Sequence, residues 1–300
     1  MERPAASESL LSMYILLGVG VVALSTAVIF VKLSDMPPSL LASGRLLVAA
    51  AVLVPFLIAE RRTGKAVLPV RALLPAATLL AAHFITWFIG IRLTTAANAS
   101  LIVNLSPVAM PFALYLMVGE KVTRREVWGS ALAVVGVLVL AAGSARVEKA
   151  GLIGDLICIG SMTLAVGYLV SAKRARQKTG DQALGIFGYL VPLYATAAVI
   201  TLASGVALGE VSQLTDGSLH VGREIALLLA LAIIPTAVGH SILNLAMVKL
   251  RGQVVAITSL GQVVFATLLA VPVLGEVPQA MFFPACGLIA AGALVVIVRR

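Results

Sequence analysis

The chain enters its first long apolar run at residues 11–31, which read LSMYILLGVGVVALSTAVIFV and contain no charged side chain. A helix of about 20 mostly apolar residues crosses the roughly 30 Å hydrocarbon core of a bilayer. The run is also longer than the apolar region of a cleavable signal peptide, which has about 7–15 residues. We therefore interpret residues 11–31 as the first of a series of membrane spans.

Comparable apolar runs continue to the end of the chain. Of its 300 residues, 60% are hydrophobic and 12% are charged, and the mean hydropathy is +1.07. Soluble domains are nearer 45–50% apolar and about 25% charged, so the composition excludes an ordinary cytosolic enzyme, a disordered protein and a secreted disulfide scaffold. Run length and breaks at charge, Pro and Gly predict ten spans: 11–31, 38–59, 72–93, 96–118, 125–144, 152–172, 183–206, 225–248, 253–274 and 279–298.

The positive charge indicates how these spans are oriented. The net charge of +9 lies between apolar segments rather than in one patch, which favours membrane orientation over nucleic-acid binding. With ten spans and a cytoplasmic N-terminus, 16 of the 22 Lys and Arg residues fall on the inner side. We therefore predict a multi-pass membrane protein with both termini cytoplasmic.

A weak internal repeat divides the chain into two halves. At an offset of 156 residues, 95–142 aligns with 251–298, and Gly119-Glu120 falls on Gly275-Glu276. We predict an all-α integral membrane protein whose ten transmembrane helices form two five-helix repeats, at 1–146 and 147–300. An odd number of spans per half inverts the second copy, so Glu120 would face the cytoplasm and Glu276 the outside. Inverted repeats are the usual architecture of secondary transporters, with the substrate site near mid-membrane between them.

Two motifs carry a resemblance to a known family. Residues 94–101, TTAANASL, followed by Pro107, and residues 119–125, GEKVTRR, resemble the EamA family of the drug/metabolite transporter superfamily, and the chain looks closest to its YddG-type amino-acid exporters. The resemblance implies an inner-membrane exporter with a central cavity lined by both halves, and amino acids as substrates. The second junction, GEVP at 275–278, lacks the basic cluster, as expected for a junction that faces outward.

The junction itself is predicted to have defined local structure. Gly119 is expected to end its helix in a left-handed cap, and Thr123 and Glu126 have the T-x-x-E spacing of a capping box.

Polar side chains within spans are the candidate substrate contacts, because each costs free energy in hydrocarbon without a partner or a water-filled cavity. His83 and His240 occupy similar depths of the two predicted halves, and Trp87 shares a helix face with His83. We expect the His83–Trp87 face to meet a second face of His240, Ser241 and Asn244. The alternatives are a structural hydrogen bond for each histidine and a lipid-facing or interfacial anchor for Trp87.

Other in-span polar residues are weaker candidates. We include Asn104, Gln262, Thr26 and Tyr168 among the substrate-binding residues, although interhelical hydrogen bonds would also explain such side chains. Arg45 lies some eight residues inside span 2, and we expect it to be structural, snorkelling outward or pairing with a carbonyl or with Asp35.

The remaining pattern points away from catalysis. No Asp or Glu lies near the middle of any span, and the nucleotide-binding and hydrolase motifs are missing. We expect no enzyme activity, cofactor or metal, and interpret the two cysteines as small core residues. The favoured function is a secondary transporter of small organic solutes. The alternatives are a channel or structural membrane subunit and, less favoured, an intramembrane enzyme. A monomer is compatible with the sequence.

Overall fold

The structure is a computed structural model that describes residues 5–94, 96–143, 149–179, 184–214, 219–275 and 280–297. Thr95 and Glu276 of the motifs above lie outside these ranges. Apart from one β-bridge between Ala66 and Leu184, the regular structure of the described residues is helical. In chain order the elements are α1 Ala5–Ser25, α2 Ala27–Leu33, α3 Pro38–Arg62, α4 Val70–Leu93, α5 Ala96–Val103, α6 Ser106–Val118, α7 Arg124–Gly143, α8 Lys149–Thr179, α9 Phe187–Ala207, a 3₁₀ turn Glu210–Leu214, α10 Val221–Leu231, a π-helical segment Ala232–His240, α11 Ser241–Lys249, α12 Gly252–Ser259, α13 Gly261–Leu274 and α14 Phe282–Ile297.

Eight helical segments among the described residues are long and apolar enough to cross a bilayer. They coincide with predicted spans 1–4 and 6–9, so the chain is a multi-pass membrane protein. The helices at predicted spans 5 and 10 are α7, with 20 residues, and α14, with 16. They are packed against each other. The total of ten spans stays a prediction.

Several spans are interrupted near their middle rather than continuous. Span 1 breaks at Thr26, span 4 at residues 104–105 and span 9 at Leu260. The break in span 4 precedes Pro107, which has no N–H to donate and is best accommodated in the first turn of a new helix. The breaks interrupt the regular helical backbone and place polar side chains such as Thr26 and Asn104 near the membrane depth at which the sequence predicts a cavity.

The π-helical segment interrupts span 8 in a different way. Pro235 within it lacks the N–H that a regular helix would use to bond the carbonyl of Leu231. The hydroxyl of Thr236 instead donates to that carbonyl over 2.7 Å. Local π-helical geometry is frequent at functional sites, and this segment ends at His240, one of the predicted site residues.

The helix ends at the two GE junctions have the same geometry. Gly119 follows α6 with φ 72° and Gly275 follows α13 with φ 69°, and each donates its N–H to the carbonyl four residues earlier. The predicted left-handed cap at Gly119 is thereby confirmed. The predicted capping box is also confirmed, because the Thr123 N–H donates to Glu126 Oε2 over 2.7 Å and the Glu126 N–H donates to Thr123 Oγ1 over 3.3 Å.

The helices pack mainly in pairs drawn from both predicted halves. α3 lies against α9, α4 against α8, α7 against α14, and α1 against the π-helical segment and α11. In the α7–α14 pair, a Cβ added to Gly129 would lie 2.7 Å from the carbonyl oxygen of Gly292, so only glycine permits this approach. Large apolar side chains such as Phe112 and Leu116 are exposed on the outside, as expected for a surface in contact with lipid.

Acidic side chains cap both ends of the α3–α9 pair. Glu60, in the last turn of α3, accepts the backbone N–H groups of residues 186–188 over 2.9, 2.9 and 3.1 Å at the start of α9. Glu210, just after α9, accepts the N–H groups of Ser39 and Leu40 over 2.9 and 3.2 Å, and the Ser39 hydroxyl over 2.9 Å. Each carboxylate therefore satisfies orphan donors at the N-terminus of the partner helix.

Two ion pairs connect the GE junction of the first half with the second half. Glu120 accepts the Lys173 ammonium over 2.6 Å and the N–H of Gly252 over 3.0 Å. Glu126 accepts two hydrogen bonds from Arg251, and these bonds raise the pKa of the Arg251 guanidinium above its ordinary value.

Candidate functional site

A cavity of about 100 Å³ lies among the interrupted helices. Its walls come from α1 and α2, α4, α5 and α6, α8, the π-helical segment and α11, and α12 and α13, so both predicted halves contribute. No Asp, Glu, Lys or Arg is among the described residues that line it. The cavity is a neutral chamber with aromatic, imidazole, hydroxyl and amide groups on its wall.

The structure brings six of the nine predicted site residues to this one cavity. The residues on its wall are His83, Trp87, Asn104, Tyr168, His240 and Gln262. Thr26, Ser241 and Asn244 are not among its lining residues. Of the two faces predicted to meet, His83, Trp87 and His240 line the same cavity, whereas Ser241 and Asn244 of the second face do not.

His83 is held in place by the neighbouring helix α8. Its Nδ1 lies 3.0 Å from the carbonyl oxygen of Ser161 and 2.8 Å from the Ser161 hydroxyl, and that hydroxyl donates to the His83 carbonyl over 3.0 Å. The carbonyl oxygen of Ser161 can only accept, so its hydrogen bond with Nδ1 requires that Nδ1 carries a ring hydrogen. His83 thus makes the structural hydrogen bond of the alternative interpretation and still lines the cavity.

An aromatic cluster forms one wall of the chamber. The rings of His83 and Trp87 are stacked with centroids 6.4 Å apart, and Phe84 meets His240 edge to face at 5.2 Å. Trp87 Nε1 and His240 Nδ1 are buried atoms without a hydrogen-bond partner among the described residues. A buried unpartnered polar atom costs about 1–3 kcal/mol, so a ligand that bonds these atoms would relieve that cost.

Asn244 forms hydrogen bonds to two residues that line the chamber. Its Nδ2 donates to the hydroxyl of Tyr168 and, over 2.7 Å, to the carbonyl of His240. Its Oδ1 lies 3.4 Å from the hydroxyl of Tyr189. Asn244 therefore positions two lining residues without lining the cavity itself.

Ser241 and Thr26 point their hydroxyls elsewhere. Ser241 lies 3.4 Å from the hydroxyl of Tyr194 and lines a separate apolar groove with Phe56 and Leu190. Adjacent residues of a helix face different directions, which separates Ser241 from His240. The Thr26 hydroxyl donates to the carbonyl of Ala23 over 2.7 Å, at the break between α1 and α2.

The sequence analysis missed several lining residues. Ser25 is adjacent to Thr26 at the same helix break, and Ser100 precedes Asn104 by one helical turn and accepts its amide at the backbone carbonyl. Phe84 and Met110 resemble ordinary core residues, and no pattern in the sequence distinguishes them. The available sequence signal for Ser25 was its polar side chain within the apolar span 1, next to Thr26.

The expectations for Arg45 are wrong in part. Arg45 is fully buried, so it does not snorkel to the surface, and Asp35 pairs with Arg223 instead, over 3.0 Å. Arg45 Nε donates to the Thr236 hydroxyl over 2.8 Å. Its guanidinium carbon lies 4.2 Å from the centroid of the Phe84 ring, directly behind the aromatic wall of the chamber.

Fold and cavity together define a helical multi-pass membrane protein with an uncharged, partly polar chamber between its helices. Residues 11–142 match the model of the EamA-like transporter family, which confirms the resemblance over that part of the chain. The YddG-type placement stays a prediction. A protein of known crystal structure covers 95% of this chain and 96% of its own, with a TM-score of 0.75 at 20% sequence identity, and is similar in fold. The comparison with curated proteins found no match.

Proposed function

We propose that the whole chain is an EamA-type secondary transporter that exports small organic solutes, in particular amino acids and related metabolites. The observation that carries the proposal is the chamber lined by both predicted halves, whose lining residues Trp87 and His240 each have a buried nitrogen, Nε1 and Nδ1, without a partner among the described residues. Such atoms are suited to the polar groups of a transient ligand. Asn104, Gln262 and Tyr168 complete the proposed contact surface, while Asn244 positions it.

The proposed mechanism is alternating access between two inverted repeats. In its support, the break at residues 104–105 and the break at Leu260 are about 156 residues apart, as are the caps at Gly119 and Gly275. The helix packing agrees with such a two-fold relation. When the halves are exchanged, α4 corresponds to span 8 and α8 to α1, and both the α4–α8 pair and the α1–span 8 pair are packed together. In the same exchange α3 corresponds to α9 and α7 to α14, and these helices also pack as pairs. A chamber on such an internal two-fold axis can be exposed to either side by rocking the halves.

Counterflow in proteoliposomes tests the transport function. Liposomes that contain the purified protein are preloaded with a high concentration of one unlabelled amino acid and diluted into the labelled form, for each of the common amino acids and simple monocarboxylates. A transporter gives transient accumulation of label that saturates with concentration. A channel gives equilibration without accumulation, and an enzyme gives an altered product. Absence of counterflow across the whole panel would contradict the proposal.

Cysteine labelling tests the proposed topology. Single cysteines at residues 64 and 215 should react with membrane-impermeant reagents from opposite sides, since the proposal places residue 64 inside and residue 215 outside. Labelling from the same side would overturn the inverted repeat and the cytoplasmic assignment of both termini.

A further inference from the structure

Arg45 is a buried cation whose hydrogen-bonding capacity is mostly unused. Its exposure is 0%, its Nε bonds Thr236, and its Nη1 and Nη2 have no partner within the described part of the chain. These two nitrogens carry four of the five guanidinium N–H donors. The faces of Phe84, at 4.2 Å, and Phe88, at 5.6 Å, supply cation–π attraction, which offsets only part of the cost of burying a charge.

The acidic groups at the near end of α3 are committed to other partners. Asp35 pairs with Arg223, and Glu224 accepts the Ser34 hydroxyl and, over 3.2 Å, the N–H of Asp35. Glu210 caps α3 as described above. Arg45 therefore has no ion pair among the described residues. An unpaired charge in a protein interior normally destabilises the folded protein. A buried cation with that cost and no anionic partner among the described residues is suited to an anionic ligand.

The position of Arg45 connects it to the chamber. Phe84 lines the chamber, and its ring contacts both the Arg45 guanidinium, 4.2 Å from the ring centroid, and the His240 ring, whose centroid is 5.2 Å away. A rotation of the Phe84 side chain would expose Nη1 and Nη2 to a ligand in the chamber.

We infer that Arg45 is the anion-recognition residue of the transporter and that its substrate carries a single carboxylate, which binds Nη1 and Nη2 when the Phe84 ring moves aside. This inference rests on the proposed function. A carboxylate matches the planar fork of a guanidinium in charge and in geometry. A dianion such as a phosphate would lack a second cation, because no Lys or Arg is among the described residues that line the chamber.

The test compares an acid with its uncharged analogue. The ligands are the solute that gives the largest wild-type counterflow and the carboxamide of that same solute, and their affinities are measured from ligand-dependent thermal unfolding in detergent. Wild-type protein should prefer the acid by at least about 30-fold, since loss of one partner of a buried charge pair costs about 2 kcal/mol or more. Arg45→Gln should reduce that preference to less than about threefold, and Arg45→Lys should retain part of it. Arg62→Gln, an exposed arginine of the same helix, is the matched control.

The outcomes separate this inference from the transport function. If no solute shows counterflow, the proposed function fails and the inference fails with it. If solutes are transported but wild-type protein binds acid and amide equally, only the inference fails, even where Arg45→Gln does not fold. Full acid preference in a folded Arg45→Gln protein would likewise assign Arg45 a structural role.

Discussion

The acidic side chains at the two ends of the α3–α9 pair can be compared with the cationic and aromatic side chains in the middle of the bundle. Glu60 and Glu210 each accept three hydrogen bonds. In the middle, by contrast, Arg45, Trp87 and His240 each have buried nitrogen atoms without a partner. Hydrogen-bonding capacity at the ends is therefore used for helix capping, whereas part of the capacity in the middle is unused within the described part of the chain.

The largest expected effect is on stability at the end of the pair. Glu60→Ala removes the acceptor of three N–H groups at the start of α9, and we expect the free energy of unfolding to fall by about 2–4 kcal/mol. Glu60→Gln, which keeps one acceptor oxygen, should lose less. Thermal unfolding in detergent measures both. Equal stability of Glu60→Ala and wild type would show that the capping bonds are not formed.

Glu60 also shows where sequence reasoning reaches its limit. The capping box of Thr123 and Glu126 was predictable because its partners are three residues apart. The partners of Glu60 are more than 120 residues away in the chain, so the carboxylate could be placed near a helix end but its role could not be derived. Tertiary contacts of this kind have no local signature.

The same distinction applies to the site. His83, Trp87 and His240 were found because polar or amphipathic groups are conspicuous in apolar spans. Ser241 lies in a separate groove, because residue spacing alone does not fix the rotation of span 8 through its π-helical segment. Phe84 could not be found from the sequence, because its contacts with Arg45 and His240 exist only in the folded bundle.

The next largest effect is expected on substrate affinity, at His83 in the middle of the bundle. His83→Ala should reduce affinity for most substrates by roughly 5–150-fold, because a polar substrate group would be left unsatisfied in the chamber at a cost of about 1–3 kcal/mol. The measurement is the concentration dependence of counterflow. His220→Ala, at an exposed histidine, is the matched control.

A second variant distinguishes substrate contact by His83 from the hydrogen bond that holds His83 in place. Ser161→Ala removes the hydroxyl bonded to His83 but leaves the imidazole on the cavity wall. It should cost less affinity than His83→Ala. If both folded variants transport every substrate like the wild type, His83 is a packing residue.

A smaller and more selective effect is expected at Trp87. Trp87→Ala removes a large apolar contact surface, so it should weaken aromatic and large apolar substrates about tenfold more than small ones. Trp87→Phe keeps a ring but loses the Nε1 donor, and should weaken all substrates to a similar extent. Trp128→Ala, at an exposed tryptophan of α7, is the control for tryptophan loss. Uniform effects of Trp87→Ala across substrate size would contradict an apolar contact.

The smallest effect is expected for acidic residues outside the chamber. Because they have structural partners, we expect that counterflow does not require their carboxylates. Asp35 pairs with Arg223 on the exposed surface, and Asp155 accepts the Thr94 hydroxyl over 2.6 Å. Neither lines the chamber, so Asp35→Asn and Asp155→Asn should each leave counterflow within about twofold of wild type, since exposed ion pairs and single neutral hydrogen bonds contribute only about 1 kcal/mol. Glu60→Gln, assayed below its unfolding temperature, should behave alike. Complete loss of counterflow in any one of these folded variants would show that its carboxylate takes part in coupling. That residue would then have a functional role although it lies outside the middle of the bundle.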